Sequence, residues 1–208
     1  MLTRLGGSLV FRSGCYALML WLALWAESRP STKLNDVLLN AVQFVEWVDR
    51  YNYWLWVVAY IPVALALGWK HLERFTQYMV TSGWVALARG VCIAVTALGP
   101  VRGDDVHLGL SLTERWNAFV GLMGLGFFNP DGGARVYLTK DLFFSGHTAT
   151  TFLLLLYVWR WPALRMWMLV AHVLVVASLF FAHLHYTVDV LGAYVVTGII
   201  YRWRERKF

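Results

Sequence analysis

The stretch LRMWMLVAHVLVVASLFF, residues 164–181, carries a single charged residue, Arg165, and that residue stands at its edge. Crossing the hydrocarbon core of a bilayer takes about 20 predominantly apolar residues in a helix. A run this apolar, with no polar face to give to water, predicts a membrane-spanning helix. Working outward, residues 7–26, 53–69, 78–98, 143–159 and 186–203 qualify or nearly qualify on the same ground. Together they predict an all-α integral membrane protein, a six-transmembrane-helix bundle forming a single membrane domain over residues 1–208. Residues 7–26 read as a spanning helix or, with Arg4 and Arg12 as its charged flank, as a cleaved signal peptide.

Composition agrees. Of 208 residues, 59% are hydrophobic and 14% charged, whereas a soluble domain carries roughly 25% charged residues. The 12 Trp and 10 Tyr suit membrane–water interfaces. The net charge of +6 is not a nucleic-acid footprint, because the basic residues segregate by side. The amino end, the turns after the second and fourth helices and the tail hold ten Lys and Arg against Glu73 and Glu205. The two long loops and the turn after the fifth helix hold seven against ten acids. This asymmetry predicts both termini in the cytoplasm. Cys15 and Cys92 lie in separate apolar runs and read as small core residues. In the longest connection, TERWNAFVGLMGLGFF (113–128) is amphipathic; it reads as a surface-lying helix or as a solvated loop with an apolar patch.

Chemistry concentrates at two helix starts, DLFFSGHT (141–148) and AHLHYTVDV (182–190), both expected on the non-cytoplasmic side. His185 and Asp189 are four residues apart, so a helix returns them to one face. The carboxylate can hold one imidazole nitrogen as N–H and leave the other as a nucleophile. Ser145, Gly146, His147 and Thr148 open the fourth helix, where free N–H groups and the dipole favour a phosphate. Ser145 serves either as a cap or as a phosphate ligand. His147 is the second acid–base candidate. Arg89, inside the third helix, needs an anion there, either substrate or a structural partner; Lys140 and Arg135 are further flanking cations. His183-x-His185 lacks the ligand set of a zinc site, and no metal or other cofactor is expected. His71, His107 and His172 read as packing or interface residues.

These motifs resemble the sphingomyelin synthase branch of the type-2 phosphatidic acid phosphatase superfamily. The stretch RGVCIAVTALGP (89–100) is similar to that branch's third-helix motif, and Leu34-Asn35-Asp36 is distantly similar to its first-loop motif. The resemblance implies a phosphotransferase with membrane lipids as donor and acceptor: a phospholipid, and ceramide, diacylglycerol or water. It implies His147, His185 and Asp189 as catalytic residues. It leaves Ser145, Gly146, Thr148, Arg89, Asp141, Tyr186 and Lys140 as the substrate-binding candidates. Departures are informative. The phosphatase members' Lys-x6-Arg-Pro motif would need a Lys at Leu22, before Arg29-Pro30. Their Ser-Arg clamp meets Ser178-Leu179 here, and Lys140 stands where animal synthases carry a Cys. Losing two cationic clamps disfavours a dianionic monoester and favours a phosphodiester, which bears one charge. A lipid phosphate phosphatase on the same scaffold is the alternative, and a non-catalytic transport or scaffold protein with histidines as a proton relay is another. Paired broken helices would mark a transporter, and only Pro62 interrupts a span.

Overall fold

A computed structural model describes residues 2–96, 98–124 and 138–206. Among them the chain is all-α: α1 (Leu2–Glu27), α2 (Val37–Ala41), α3 (Glu46–Lys70), α4 (Leu72–Val95), α5 (Leu112–Leu122), α6 (Gly146–Val158), α7 (Pro162–Phe181) and α8 (Thr187–Glu205). The one β feature among the described residues is an isolated parallel bridge between Thr32 and Leu98.

Each of the six expected apolar stretches contains a helix, but four of these, α1, α3, α4 and α7, are by themselves long and apolar enough to cross a membrane. With 13 residues, α6 is about 20 Å long, short of the ~30 Å hydrocarbon core. It begins at Gly146 rather than near Phe143, because residues 141–145 are non-helical and their backbone is committed to tertiary bonds, Ser145 N–H to Asp189 and the Asp141 and Phe144 carbonyls to Arg89. The end of α8 is polar, carrying Arg202, Arg204 and Glu205. Packing differs from that of a water-soluble helix in its outer face. Along α7, Met168, Ala171, Val175 and Leu179 are buried at helical spacing, while Trp167, Val170, Val173 and Leu174 point outward. Large apolar side chains outside as well as inside mean that lipid is the solvent.

Inside the bundle, α3, α4, α6 and α7 close around Leu67, Tyr78, Leu153, Leu154 and Val175. Side-chain hydrogen bonds tie these helices together in the core. Tyr60 and Tyr78 share a 2.6 Å hydroxyl bond, Thr81 bonds Tyr157 at 2.7 Å, and Trp56 Nε1 donates to Thr150 at 3.1 Å. Without water as a competitor such bonds tie neighbouring helices together. α1 lies along α4 and runs the same way. A Cβ on Gly90 would stand 2.8 Å from Met19 Cα, so only glycine allows this approach. Thus α1 is an integral wall of the bundle.

The connection after α4 holds α5, capped by a Ser111–Glu114 box. Trp116 and Phe119 meet Trp21 of α1 edge-on. The helical reading of 113–128 therefore holds through Leu122, and its last residues, like Arg135, lie outside the described residues. Cys15 is buried, Cys92 half-buried, and both are free thiols.

Candidate active site

The starts of α6 and α8 are joined directly: Ser145 N–H donates to the Asp189 carbonyl at 3.0 Å. Ser145 caps α6 through its hydroxyl, which accepts from Thr148 N, and is fully buried. The two helix starts thereby become one unit, and His147 and His185 face each other with ring centroids 6.4 Å apart. Trp56 presses its edge against the His147 ring at 5.5 Å, fixing the imidazole from the α3 side.

His185 has a different backing. Its Nδ1 lies 3.4 Å from Asp189 Oδ2, which also accepts the Tyr186 N–H at 2.8 Å. Asp189 is completely buried, and its Oδ1 has no hydrogen-bond partner. A buried carboxylate with one unsatisfied oxygen costs stability, a pattern expected where function sets the residue type. With Nδ1 turned to Asp189, Nε2 is the nitrogen left for chemistry.

Both histidines line a cavity of about 860 Å³. It is lined by the loop residues Pro100–Gly103 and His183 and by the apolar side chains of Met19, Val85 and Leu153. Arg89 crosses from α4 to the site. Its Nε donates to the Phe144 carbonyl at 2.7 Å, and its Nη2 meets Asp141 Oδ1 at 2.8 Å. The guanidinium lies flat on Gly146, where an added Cβ would be 2.9 Å from Arg89 Cζ. Gly146 is therefore the residue that lets a cation reach the α6 start. Arg89 is both a structural partner of Asp141 and part of the cavity wall.

Other residues singled out from the sequence stand elsewhere. Lys140 does not line the cavity. It is buried, with Nζ on the carbonyls of Glu27 and Arg29 and on Asp105. Its charge is spent in holding the approach to α6 onto the end of α1. Thr148 turns back to Ser145. Tyr186 donates its hydroxyl to the Gly99 carbonyl at 3.2 Å, bracing the first and second outer loops. Tertiary folding, not local pattern, gave these residues their partners. The remaining histidines also have packing partners: His71 stacks on Trp161, His107 meets Glu27, and His172 bridges Thr151 and Tyr194. Among the described residues no cluster of His, Cys, Asp or Glu is arranged to hold a metal ion.

Three residues take roles that the sequence did not assign them. Glu27, fully buried, accepts from Thr139 and Lys140 backbone N–H groups and from Thr139 Oγ1. Asp36 caps α2 and also accepts from Thr187 N and from Thr187 Oγ1 at 2.9 Å, tying the first outer loop to the start of α8. Partial burial works to raise the Asp36 pKa, but these hydrogen bonds outweigh it and hold the carboxyl below its usual range. Arg12, expected as a charged flank, lines the cavity instead.

Comparison with known proteins bears out the resemblance carried by the motifs. Residues 140–206 match the family model "PAP2 superfamily C-terminal". The chain is 27% identical over 173 residues to phosphatidylcholine:ceramide cholinephosphotransferase 1 of Homo sapiens, covering 79% of this chain and 41% of that protein. To its counterpart in Rattus norvegicus it is 28% identical over 173 residues, covering 40% of that protein. The chain thus spans about two fifths of the length of these relatives.

Proposed function

We propose, from this similarity to the PAP2 superfamily and to a lipid cholinephosphotransferase, that the chain is an integral membrane lipid head-group phosphotransferase whose nucleophile is His185. The supporting observation is the asymmetric histidine pair on one cavity: two imidazoles 6.4 Å apart, of which one alone is backed by a buried carboxylate. Asp189 holds the Nδ1 proton of His185, so the Nε2 lone pair attacks the phosphorus of a phospholipid diester. The bond from phosphorus to the diacylglycerol oxygen breaks, and His147 gives that oxygen its proton. The head-group phosphate stays on His185 as phosphohistidine. In the second half, neutralised His147 takes the proton of an acceptor alcohol, whose oxygen attacks phosphorus and displaces Nε2. Ceramide or diacylglycerol as acceptor gives a new phosphodiester lipid; water gives phospholipase C-type hydrolysis. Each proton transfer is worth roughly 10²–10⁴-fold. The charge asymmetry of the loops favours both termini in the cytoplasm and the site on the opposite side, facing the periplasm in a bacterial inner membrane.

Arg89 and the α6 start supply the positive field for the phosphate, and the mechanism needs no metal. The test is purified protein in detergent with labelled phosphatidylcholine, with and without ceramide, in EDTA. Release of diacylglycerol is expected, with label passing to ceramide when it is offered. His185→Ala should abolish both half-reactions. His147→Ala should slow them by roughly 10²–10⁴-fold, and should accumulate phosphohistidine when an activated leaving group removes the need for an acid. Turnover by His185→Ala at the wild-type rate would exclude the mechanism.

A further inference from the structure

Arg12 lies ten residues into α1, within a helix able to span a membrane. Its Nε donates to Ser82 Oγ of α4 at 2.9 Å, and the side chain faces the cavity. Among the described residues no carboxylate pairs with it. The wall between it and the histidines is built by two helices in register. From α1 come Arg12, Tyr16 and Met19, and from α4 come Ser82, Val85, Ala86 and Arg89. Seven residues separate Arg12 from Met19 and Ser82 from Arg89, so Arg12 and Ser82 lie about 10 Å deeper than the Met19–Arg89 level. The cavity therefore has two polar levels: the histidines, Arg89 and Asp141 at one, Arg12 and Ser82 at the other.

A guanidinium at this depth is costly unless an acceptor meets it. Ser82 uses one of its five N–H groups; the others require oxygen from whatever fills the cavity. Resting on the assignment of His185 as nucleophile, a lipid bound with its phosphorus at His185 extends its linkage oxygens and then its chains down this wall. Below the linkage a lipid offers only hydrocarbon. Its ester or amide carbonyl is thus the last acceptor that can approach Arg12.

We propose that Arg12, positioned by Ser82, forms a second subsite of the cavity that recognises the acyl-linkage carbonyl of the bound lipid and favours acyl-linked over ether-linked lipids. A charged donor in a water-poor site forms a strong hydrogen bond to such a carbonyl. An ether oxygen in the same place is a poor acceptor and lies closer to the glycerol.

The probes are dioleoyl phosphatidylcholine and its dialkyl ether analogue, which share the phosphodiester and head group. Binding is measured in detergent by tryptophan fluorescence, in the full chain carrying His185→Ala, so that turnover does not enter. The diacyl lipid should bind about tenfold more tightly than the ether lipid, the lower range for a hydrogen bond to a charged group. Arg12→Leu should bring the two affinities within about twofold, by weakening the diacyl lipid alone. If that variant does not fold, Arg12→Gln, which keeps a polar group but no charge, should reduce the preference in the same direction. Equal affinities in the parent protein, or a preference undiminished in the Arg12 variant, would overturn the subsite. Neither result depends on whether His185 is the nucleophile, which the turnover assay decides separately.

Discussion

At the scale of single residues the site combines one strained group with several well-satisfied ones. Asp189 Oδ2 serves both His185 and the Tyr186 N–H, while Oδ1 is buried without a partner. Asp189→Asn tests what that arrangement is for. Because Oδ2 serves both partners, an amide oxygen there would keep both hydrogen bonds but lose the charge that supports a positive His185, whereas an NH2 there would meet the Tyr186 N–H donor to donor. Turnover should fall roughly 10²–10⁴-fold, as expected for an orienting carboxylate. The melting temperature should hold or rise, because a buried, half-satisfied charge has been removed. A variant that melts much earlier yet keeps wild-type turnover per folded molecule would make Asp189 a structural residue only. The juxtaposition of the three residues on which the proposed chemistry rests was legible because the i, i+4 relation of His185 and Asp189 is local and each histidine sits next to a helix start. Lys140 and Arg12 were not. A sequence gives depth along a helix but not the neighbours packed against it. From the sequence Lys140 therefore reads as a site cation, although Glu27, Arg29 and Asp105 enclose it, and Arg12 as a flank, although it faces the cavity.

At the scale of elements, the helix starts are positioned by loops. α7 ends in a Schellman motif: Leu184 N–H returns to the Leu179 carbonyl at 2.9 Å and His183 N–H to Phe180 at 3.1 Å. The left-handed position usually given to glycine is held here by His183, at φ 51°. Its ring bonds the Val42 carbonyl at 2.9 Å, which offsets part of the backbone strain. No glycine marks this stop, so the sequence signalled the end of α7 only through the polar AHLHYT run. α8 is then tied to the first outer loop by Asp36. Because hydrogen bonds to its carboxylate hold the folded pKa below the unfolded value, this tie stabilises the fold above the unfolded value, near 3.9. The contribution is lost as pH falls through the lower, folded value. Asp36→Asn should therefore melt below the wild type at pH 7, and the gap should narrow as pH falls below about 4. Fluorescence-monitored melts across that range check it; a gap independent of pH would mean the carboxylate charge is not what holds the loop.

At the scale of the molecule, six apolar runs gave the bundle its helices, since burial in lipid leaves a signal in every residue of a span. The relative placement of α1 and α4 was not legible, because it depends on close approach at Gly90. That placement, with the outer loops, decides the charge balance of the cavity and hence its substrate. Arg89 is paired with Asp141 at 2.8 Å and Arg102 with Asp49 at 3.6 Å. Arg12 is the remaining arginine of the wall, and it stands a level below the histidines. Among the described residues there is thus one shared cation close to the reacting phosphorus, besides the start of α6. A monoester dianion would be under-neutralised as charge develops, which is when preorganised positive groups matter most. A diester carries a single charge, and its diacylglycerol leaving group stays among the apolar side chains beside His147. Phosphatidylcholine should therefore be turned over faster than phosphatidic acid at matched mole fraction in detergent. The comparison is made by following diacylglycerol release from both lipids and free phosphate from the second. Much faster cleavage of phosphatidic acid would replace the transferase with a lipid phosphate phosphatase. It would also require a further cation to reach the site, and Arg102, which lines the same cavity, could supply one once its ion pair with Asp49 opens.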